Sequence, residues 1–198
     1  MIVTLAAWLI ASAAGSAAGR GLFGVGIAPY WGAFLAAAGG LVLRRRGVPF
    51  FRWVLWSTGG WAAGALVGTR LISAVIRSVA AVAPGVNAIP PDLVPTVTIF
   101  AVFGAAEWVV LRPLMPSAST WVALNAVAGL DMTLLESPIR VVTFAPAEAV
   151  AGEIGAEAVV GAALGAIYAA VTAAGMLRIG TVTRATGPHR GPRQLSSL

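Results

Sequence analysis

Six apolar segments, each about as long as a membrane-crossing helix, constrain the fold of this chain more than any other feature. A helix needs roughly 17–25 mostly apolar residues to cross the hydrocarbon core of a bilayer. Lipid offers no hydrogen-bond partners to the backbone, so each crossing segment has to be helical. The predicted spans are residues 1–19, 27–43, 49–67, 94–111, 118–135 and 158–177. The expected fold class is an all-α integral membrane protein, with one transmembrane helical bundle over residues 1–180.

The composition supports this prediction and excludes several kinds of chemistry. Of the 198 residues, 59% are hydrophobic and 10% are charged, whereas a soluble domain has about 25% charged residues. The chain has no cysteine and no lysine, and its one histidine, His189, lies in the polar segment 181–198. Thiolate chemistry, lysine Schiff bases and intramembrane histidine ligands are therefore excluded. We expect no catalytic residue, no metal site and no cofactor held by the chain's own ligands, although bound lipid is expected.

The arginines predict an orientation. With six spans, nine of the 13 arginines lie on the side of the 44–52 loop, and four lie on the other side. The positive-inside rule then places the nine in the cytoplasm. Both termini are expected inside, with residues 181–198 as a polar cytoplasmic tail, and the net charge of +6 is assigned to orientation and not to nucleic-acid binding. Ala11-Ser12-Ala13 also fits a signal-peptide cleavage site, but a retained first helix is favoured.

Two connections are too long to be simple turns. In a helix over 71–79, Ile72, Val75, Ile76 and Val79 share one face, which predicts an amphipathic helix lying in the outer interface. Prolines follow it and predict an extended loop. The second connection, residues 136–157, holds four of the seven acidic residues. It is expected to form a half-embedded outer lid, which can include a short helix from Ala147.

An internal repeat links the second to fifth spans. Residues 41–44 (Leu-Val-Leu-Arg) and 109–112 (Val-Val-Leu-Arg) are 68 positions apart, and the same offset relates Trp53 to Trp121. Both units run the same way through the membrane, which predicts parallel-repeated helical hairpins. Residues 175–178 look like a third opening half. Whether the first span pairs with the sixth is left open by the sequence.

These repeated residues resemble a group of uncharacterised bacterial multi-span membrane proteins. That family repeats a Gln-Trp-hydrophobic-hydrophobic-Leu-Arg helix end, matched here by residues 107–112 with Glu107 in place of the Gln (a (Gln/Glu)-Trp pattern), and Gly-Trp/GxxxG helices, matched by residues 60–64. The resemblance covers about residues 35–68 and 100–130. It implies a compact helical bundle without an assigned activity. Together with the arginine pattern, it places the chain in a bacterial inner (cytoplasmic) membrane as a multi-pass protein.

Spaced glycines are the most abundant candidate contact residues. Small residues four positions apart let helices approach closely, which drives helix association in lipid. They are expected to pack helices within the bundle, or against a partner subunit. The predicted helix-packing or partner-interface residues are Gly60, Gly64, Gly68, Gly161 and Gly165.

Three polar residues lie inside predicted spans, where such groups are functional candidates. Glu107 is expected to form a salt bridge with Arg112 or Arg44, or a hydrogen bond, and a proton or ion relay is the alternative. Asn125 is expected to hydrogen-bond a neighbouring helix, and Asp131 to reach the outer interface. A polar path through these three residues can be imagined, although no sequence signal links them.

Aromatic and basic residues near span ends are predicted to hold the bundle at the interface, where indole rings prefer to lie. These interface anchors are Trp53, Trp108, Trp121, Arg44 and Arg112. The arginines at 44–46 can also attract anionic lipid head groups. Pigment or quinone contact is expected only through partner subunits.

Three classes of function follow. The first is a non-catalytic accessory or structural subunit that packs into and stabilises a larger membrane complex, such as a photosynthetic or respiratory one, with membrane lipids and other subunits as partners. The second is a small-solute or ion transporter or channel, favoured by the parallel repeat and by Glu107 and Asn125. An enzyme is not expected, because no known catalytic motif is present.

Overall fold

The fold is all-helical over the part of the chain that a computed structural model describes, residues 2–23, 29–82, 92–114 and 118–185. These residues form five helices and no strand. The helices are α1 (Ile2–Phe23), α2 (Pro29–Arg44), α3 (Phe50–Val82), α4 (Leu93–Leu111) and α5 (Ala118–Ala185). The predicted all-α fold class is confirmed. Most of the predicted tail and the prolines of the 83–91 loop lie outside the described residues.

Two stretches of helix among the described residues are long and apolar enough to cross a membrane, Leu93–Leu111 and Ser119–Leu177. Trp31–Arg44 is apolar but shorter. α1 and α3 have 22 and 33 residues, but neither is among these two stretches. Six separate crossings therefore remain a prediction.

The 68-residue α5 is two helical segments joined at a kink. Gly152 has φ 69° and ψ −178°, which is not helical, and glycine tolerates this positive φ because it has no Cβ. Pro138 and Pro146 precede the kink inside the helix. Residues 136–157, for which an outer lid is predicted, are helical up to the kink at Gly152 and again after it.

The predicted amphipathic helix over 71–79 is not a separate element. It continues α3 without a break as far as Val82. Ile72 and Val75 are half-buried, whereas Arg70, Ser73 and Arg77 are exposed. The two described residues of the predicted apolar face are thus less exposed than the polar ones, and the segment is an extension of a bundle helix, because no glycine or proline interrupts residues 69–82.

The helices form a closed ring in which each packs against two neighbours. α1 packs against α2 and α5, α3 against α2 and α4, and α4 against α5. The first helix meets the second segment of α5, where Gly161 lies against the Ser16 backbone and Gly165 against that of Ser12. The chain thus brings its first and last helical segments together.

An aromatic cluster fills the middle of the ring. Trp61 lies edge-on to Phe100 and Phe103, with ring centroids 5.2 and 5.7 Å apart, and Tyr168 lies 5.9 Å from Phe100. All four side chains are buried. The outer faces, in contrast, carry large exposed apolar side chains: Ile10 is 65% exposed, Leu55 72% and Leu66 71%.

Candidate functional site

Glu107 is buried in the centre of the ring with both carboxylate oxygens hydrogen-bonded. The indole Nε1 of Trp121 donates to Oε2 over 3.1 Å, and the hydroxyl of Ser57 donates to Oε1 over 3.2 Å. The inward face of α4 places the carboxylate there, because Phe100, Phe103 and Glu107 recur at helical spacing. Glu107 therefore joins α3, α4 and α5.

Asn125 extends this arrangement from Trp121 to the second segment of α5. Its amide nitrogen donates to the Trp121 carbonyl over 3.0 Å, and its amide oxygen accepts from the Tyr168 hydroxyl over 3.1 Å. Gly104 makes room for the amide, since a Cβ on that glycine would lie 2.7 Å from the Asn125 Cβ. Asn125 thus contacts a neighbouring helical segment of the same chain.

Thr172 adds a connection between this segment and α1. Its hydroxyl accepts from the Trp8 indole Nε1 over 3.0 Å and donates to the Tyr168 carbonyl over 2.7 Å. Together these buried groups form what we call the polar core. It consists of Trp8, Ser57, Glu107, Trp121, Asn125, Tyr168 and Thr172.

Three tryptophans of the ring share one arrangement. Trp8, Trp53 and Trp121 are buried, and the indole N–H of each donates a hydrogen bond to the neighbouring helix or helical segment of the ring. For Trp53, the acceptor is the Ala36 carbonyl of α2, at 3.0 Å. Four residues after each tryptophan comes a buried polar residue. These three polar residues are Ser12, Ser57 and Asn125. The Ser12 hydroxyl has no hydrogen-bond partner among the described residues.

A second polar site, the charged cluster, joins α1 to both segments of α5. Arg20 and Glu157 are each 5% exposed and lie 3.4 Å apart, and Arg20 also pairs with Glu136 at 2.6 Å. Arg140 binds Glu157 through both terminal nitrogens, at 2.8 and 3.0 Å. Two arginines thus face two glutamates. Buried charges are tolerated when they are paired in this way.

The glycines predicted as helix-packing residues lie in contacts within the chain. A Cβ on Gly64 would lie 2.7 Å from the Ile99 Cα, and one on Gly68 would lie 3.0 Å from the Pro95 Cα. Gly60 packs against Ala106 and Phe103, which belong to α4, as Ile99 and Pro95 do. Gly161 and Gly165 face α1, as described above. All five are buried, so none offers a free surface to a partner subunit.

Two sequence predictions are wrong about side-chain environment. Trp53 and Trp121 are 0% exposed and point into the ring, so they are not interface anchors. Hydrophobicity and span position cannot distinguish the two faces of a helix end. Trp108 is half-buried, and Arg44 and Arg112 are exposed, so their role at an interface stays a prediction.

The predicted salt bridge of Glu107 with Arg112 or Arg44 is also not formed. The Glu107 carboxylate points toward Trp121 and Ser57, whereas the side chains of Arg44 and Arg112 are exposed. Asn125 and Glu107 are linked through Trp121, but Asp131 takes no part in this hydrogen-bond network. The path through all three residues is therefore absent among the described residues.

No group of three or more His, Asp or Glu side chains could hold a metal ion within the described part of the chain. The polar core contains one carboxylate, with both oxygens engaged, and amide, hydroxyl and indole groups around it. Such a set can position helices and can order a polar solute only if these hydrogen bonds open.

Comparison with known protein families, with curated proteins and with solved structures finds no significant match. The resemblance to the uncharacterised bacterial family therefore remains a prediction.

The sequence interpretation missed most partners of these sites. Tyr168 and Thr172 belong to a segment that the sequence marks only as apolar, and Arg20 is one of the four arginines predicted on the side opposite the 44–52 loop. One signal was present: a tryptophan followed four positions later by a serine or asparagine occurs at Trp8, Trp53 and Trp121. That spacing would have added α1 to the repeat.

Proposed function

We propose that this protein is a non-catalytic structural subunit that packs into and stabilises a larger membrane complex. The observation that supports this best is the separation of its polar and apolar groups. The polar core and the charged cluster are bonded inside the ring, and large apolar side chains such as Leu55 and Leu66 cover the outside. A surface of this kind suits lipid and the apolar helices of other subunits.

Helix packing in this ring does not depend on the outer apolar side chains. In lipid, association is driven by close packing and by hydrogen bonds between helices, because the acyl chains are as apolar as leucine. The buried glycine contacts and the polar core supply both inside the chain. The outer faces are then free to contact partners without loss of the fold.

We further propose six crossings with both termini in the cytoplasm and parallel-repeated hairpins. α1, α2, the first part of α3, α4 and the two segments of α5 would each cross once. The antiparallel contacts support this arrangement, since Gly60, Gly64 and Gly68 meet α4 in reverse order along its sequence. The shared contacts of Trp8, Trp53 and Trp121 support three equivalent hairpins, closed by α1 against α5.

Single-cysteine labelling tests the topology directly, because the chain has no cysteine of its own. Exposed positions Pro49 and Ala149 lie near opposite ends of the bundle. In intact spheroplasts, Ala149→Cys is expected to react with a membrane-impermeant maleimide, and Pro49→Cys only after permeabilisation. Equal reaction of both variants in intact spheroplasts would contradict the proposed crossings.

Mild-detergent extraction from native membranes tests the accessory role. The protein is expected to migrate within a large assembly on a native gel, where mass spectrometry identifies its partners and an absorption spectrum detects any pigment they carry. Migration alone, near its 20.0 kDa mass plus detergent, or as a small homo-oligomer, would contradict the accessory role.

A transporter is the second candidate, and the polar core is the observation that favours it. Its hydrogen bonds run from Ser57 through Glu107 to Trp121 and on to Asn125 and Tyr168. Intramembrane polar groups of this kind can mark an ion or proton path. For a transporter, Glu107→Gln would abolish proton or solute flux in reconstituted vesicles, whereas the structural role predicts no flux that depends on Glu107.

A further inference from the structure

An open groove runs between the outer faces of α1 and α2, with a cavity of about 520 Å³. This volume lies within the roughly 300–1,000 Å³ of typical ligand sites. We propose that the groove holds an acyl chain of an anionic phospholipid whose phosphate is bound by Arg45 and Arg46. The inference rests on the membrane insertion proposed above, but not on the presence of partner subunits.

Small side chains on one face of α1 create the groove. Thr4, Ala7, Ala11 and Ala14 line it, and their spacing of three or four residues places them on a single helix face. None of them fills the space beside α2, whose wall includes Leu41. The result is a mostly apolar channel, as an acyl chain requires.

The groove is about as long as one leaflet of a bilayer. Thr4 and Ala14 are ten residues apart, which corresponds to about 15 Å along a helix. The hydrocarbon core of a bilayer is about 30 Å thick, so one leaflet contributes about half of that. α1 and α2 run antiparallel, since Trp8 lies against Gly39 and Gly15 lies against Phe34. The arginine end of the groove therefore lies at the start of α1.

Charge identifies the head group. Arg45 is exposed and Arg46 is half-buried, both line the groove, and neither has an acidic partner among the described residues. The seven acidic residues are all described, and three of them are bound in the polar core and the charged cluster. The other four lie toward the opposite end of the bundle: Asp92, Asp131, Glu148 and Glu153. No acidic side chain of the described residues therefore neutralises Arg45 or Arg46, and basic pockets between helices on the cytoplasmic side bind anionic head groups.

A second groove provides an internal control. It has about 440 Å³ and lies between α4 and α5, with Val97, Ala126 and Leu130 among its lining residues and no charged side chain. Lipid can cover it, but no group there selects a head group. Of these two grooves, the one between α1 and α2 combines an apolar channel with unpaired positive charge.

Lipid titration of the full chain in detergent, followed by native mass spectrometry, tests the proposal. The probes are phosphatidylglycerol and phosphatidylcholine. Arg45→Gln with Arg46→Gln is expected to weaken phosphatidylglycerol binding roughly thirtyfold, the effect of two arginines at an anionic surface, with little change for phosphatidylcholine. Arg52→Gln, which removes an exposed arginine outside the groove, is the charge-matched control.

Filling the groove tests the acyl chain separately. Ala11→Leu is expected to weaken both lipids at least tenfold, and Ala126→Leu in the control groove is expected to leave the phosphatidylglycerol affinity unchanged. Equal effects of Arg52→Gln and the double arginine variant would overturn the proposal. It would also be overturned if glycerophosphoglycerol, which lacks acyl chains, bound as tightly as the lipid. A third contradicting result would be a protein that is dimeric in detergent and that Ala11→Leu makes monomeric without changing lipid binding, because the groove would then hold a second copy of the chain.

Cell fractionation distinguishes failure of the proposed membrane role from failure of the proposed lipid site. If the chain is absent from the membrane fraction, both the membrane role and the lipid site are wrong. If it is in the membrane but binds both lipids equally, with or without the two arginines, the lipid site alone is wrong.

Discussion

Replacing Arg20 with methionine is expected to lower the free energy of unfolding by about 3–5 kcal/mol, the usual cost of removing one partner of a buried ion pair. Arg20 is 5% exposed and contacts both Glu136 and Glu157. Methionine keeps much of the side-chain length but leaves two glutamates facing Arg140 alone. Unfolding in mixed micelles, followed by tryptophan fluorescence, measures the change.

Two further variants separate charge balance from packing. Arg20→Met combined with Glu136→Gln leaves one positive charge, on Arg140, and one negative charge, on Glu157. Because the charges of the cluster then balance, this double variant is expected to be more stable than Arg20→Met alone. Arg77→Met changes an exposed arginine of α3 and is expected to stay within about 0.5 kcal/mol of the original protein. Equal losses for Arg20→Met and Arg77→Met would show that the charged cluster does not stabilise the fold.

Replacing Glu107 with leucine is expected to lower the free energy of unfolding by about 2–4 kcal/mol. The change leaves the Trp121 indole N–H and the Ser57 hydroxyl buried without their acceptor, and each unpaired buried group costs about 1–3 kcal/mol. Glu107→Gln is expected to lose only about 1 kcal/mol, because its amide can accept from Trp121 and donate to Ser57. The same micelle unfolding experiment applies.

Removing the partners as well makes this prediction specific. Glu107→Leu combined with Trp121→Phe and Ser57→Ala takes away the orphaned donors, and such matched removal is often close to neutral. This triple variant is expected to recover part of the stability lost in Glu107→Leu. Glu148→Leu, at an exposed position, is the control. A triple variant less stable than Glu107→Leu would contradict the hydrogen-bond explanation.

The sequence predicts where helices occur much better than how they rotate. Apolar length predicts the ends of α1, α2 and α4 to within about four residues, whereas both segments of α5 extend well beyond the predicted spans 118–135 and 158–177. Rotation depends on contacts with other helices. Trp121 was therefore placed at an interface, although it donates to Glu107 in the core.

Long-range pairing was equally out of reach. Arg20 and Glu157 are 137 positions apart in the sequence, and the alternation of charge along one helix cannot reveal such a contact. The continuous helix from Glu136 to the kink was also missed, because Pro138 and Pro146 usually end helices. Here both prolines are kept within α5, and the chain turns only at Gly152.

The closed ring has a consequence for biosynthesis. Trp8 finds its hydrogen-bond partner in Thr172, 164 residues later, and a ribosome adds about 5–20 residues per second. At this rate, Thr172 is translated roughly 10–30 s after Trp8. During that interval the face of α1 that later packs against α5, at Trp8, Ser12 and Ser16, lacks this cover, so an early-binding insertase or chaperone would meet this surface before the ring closes.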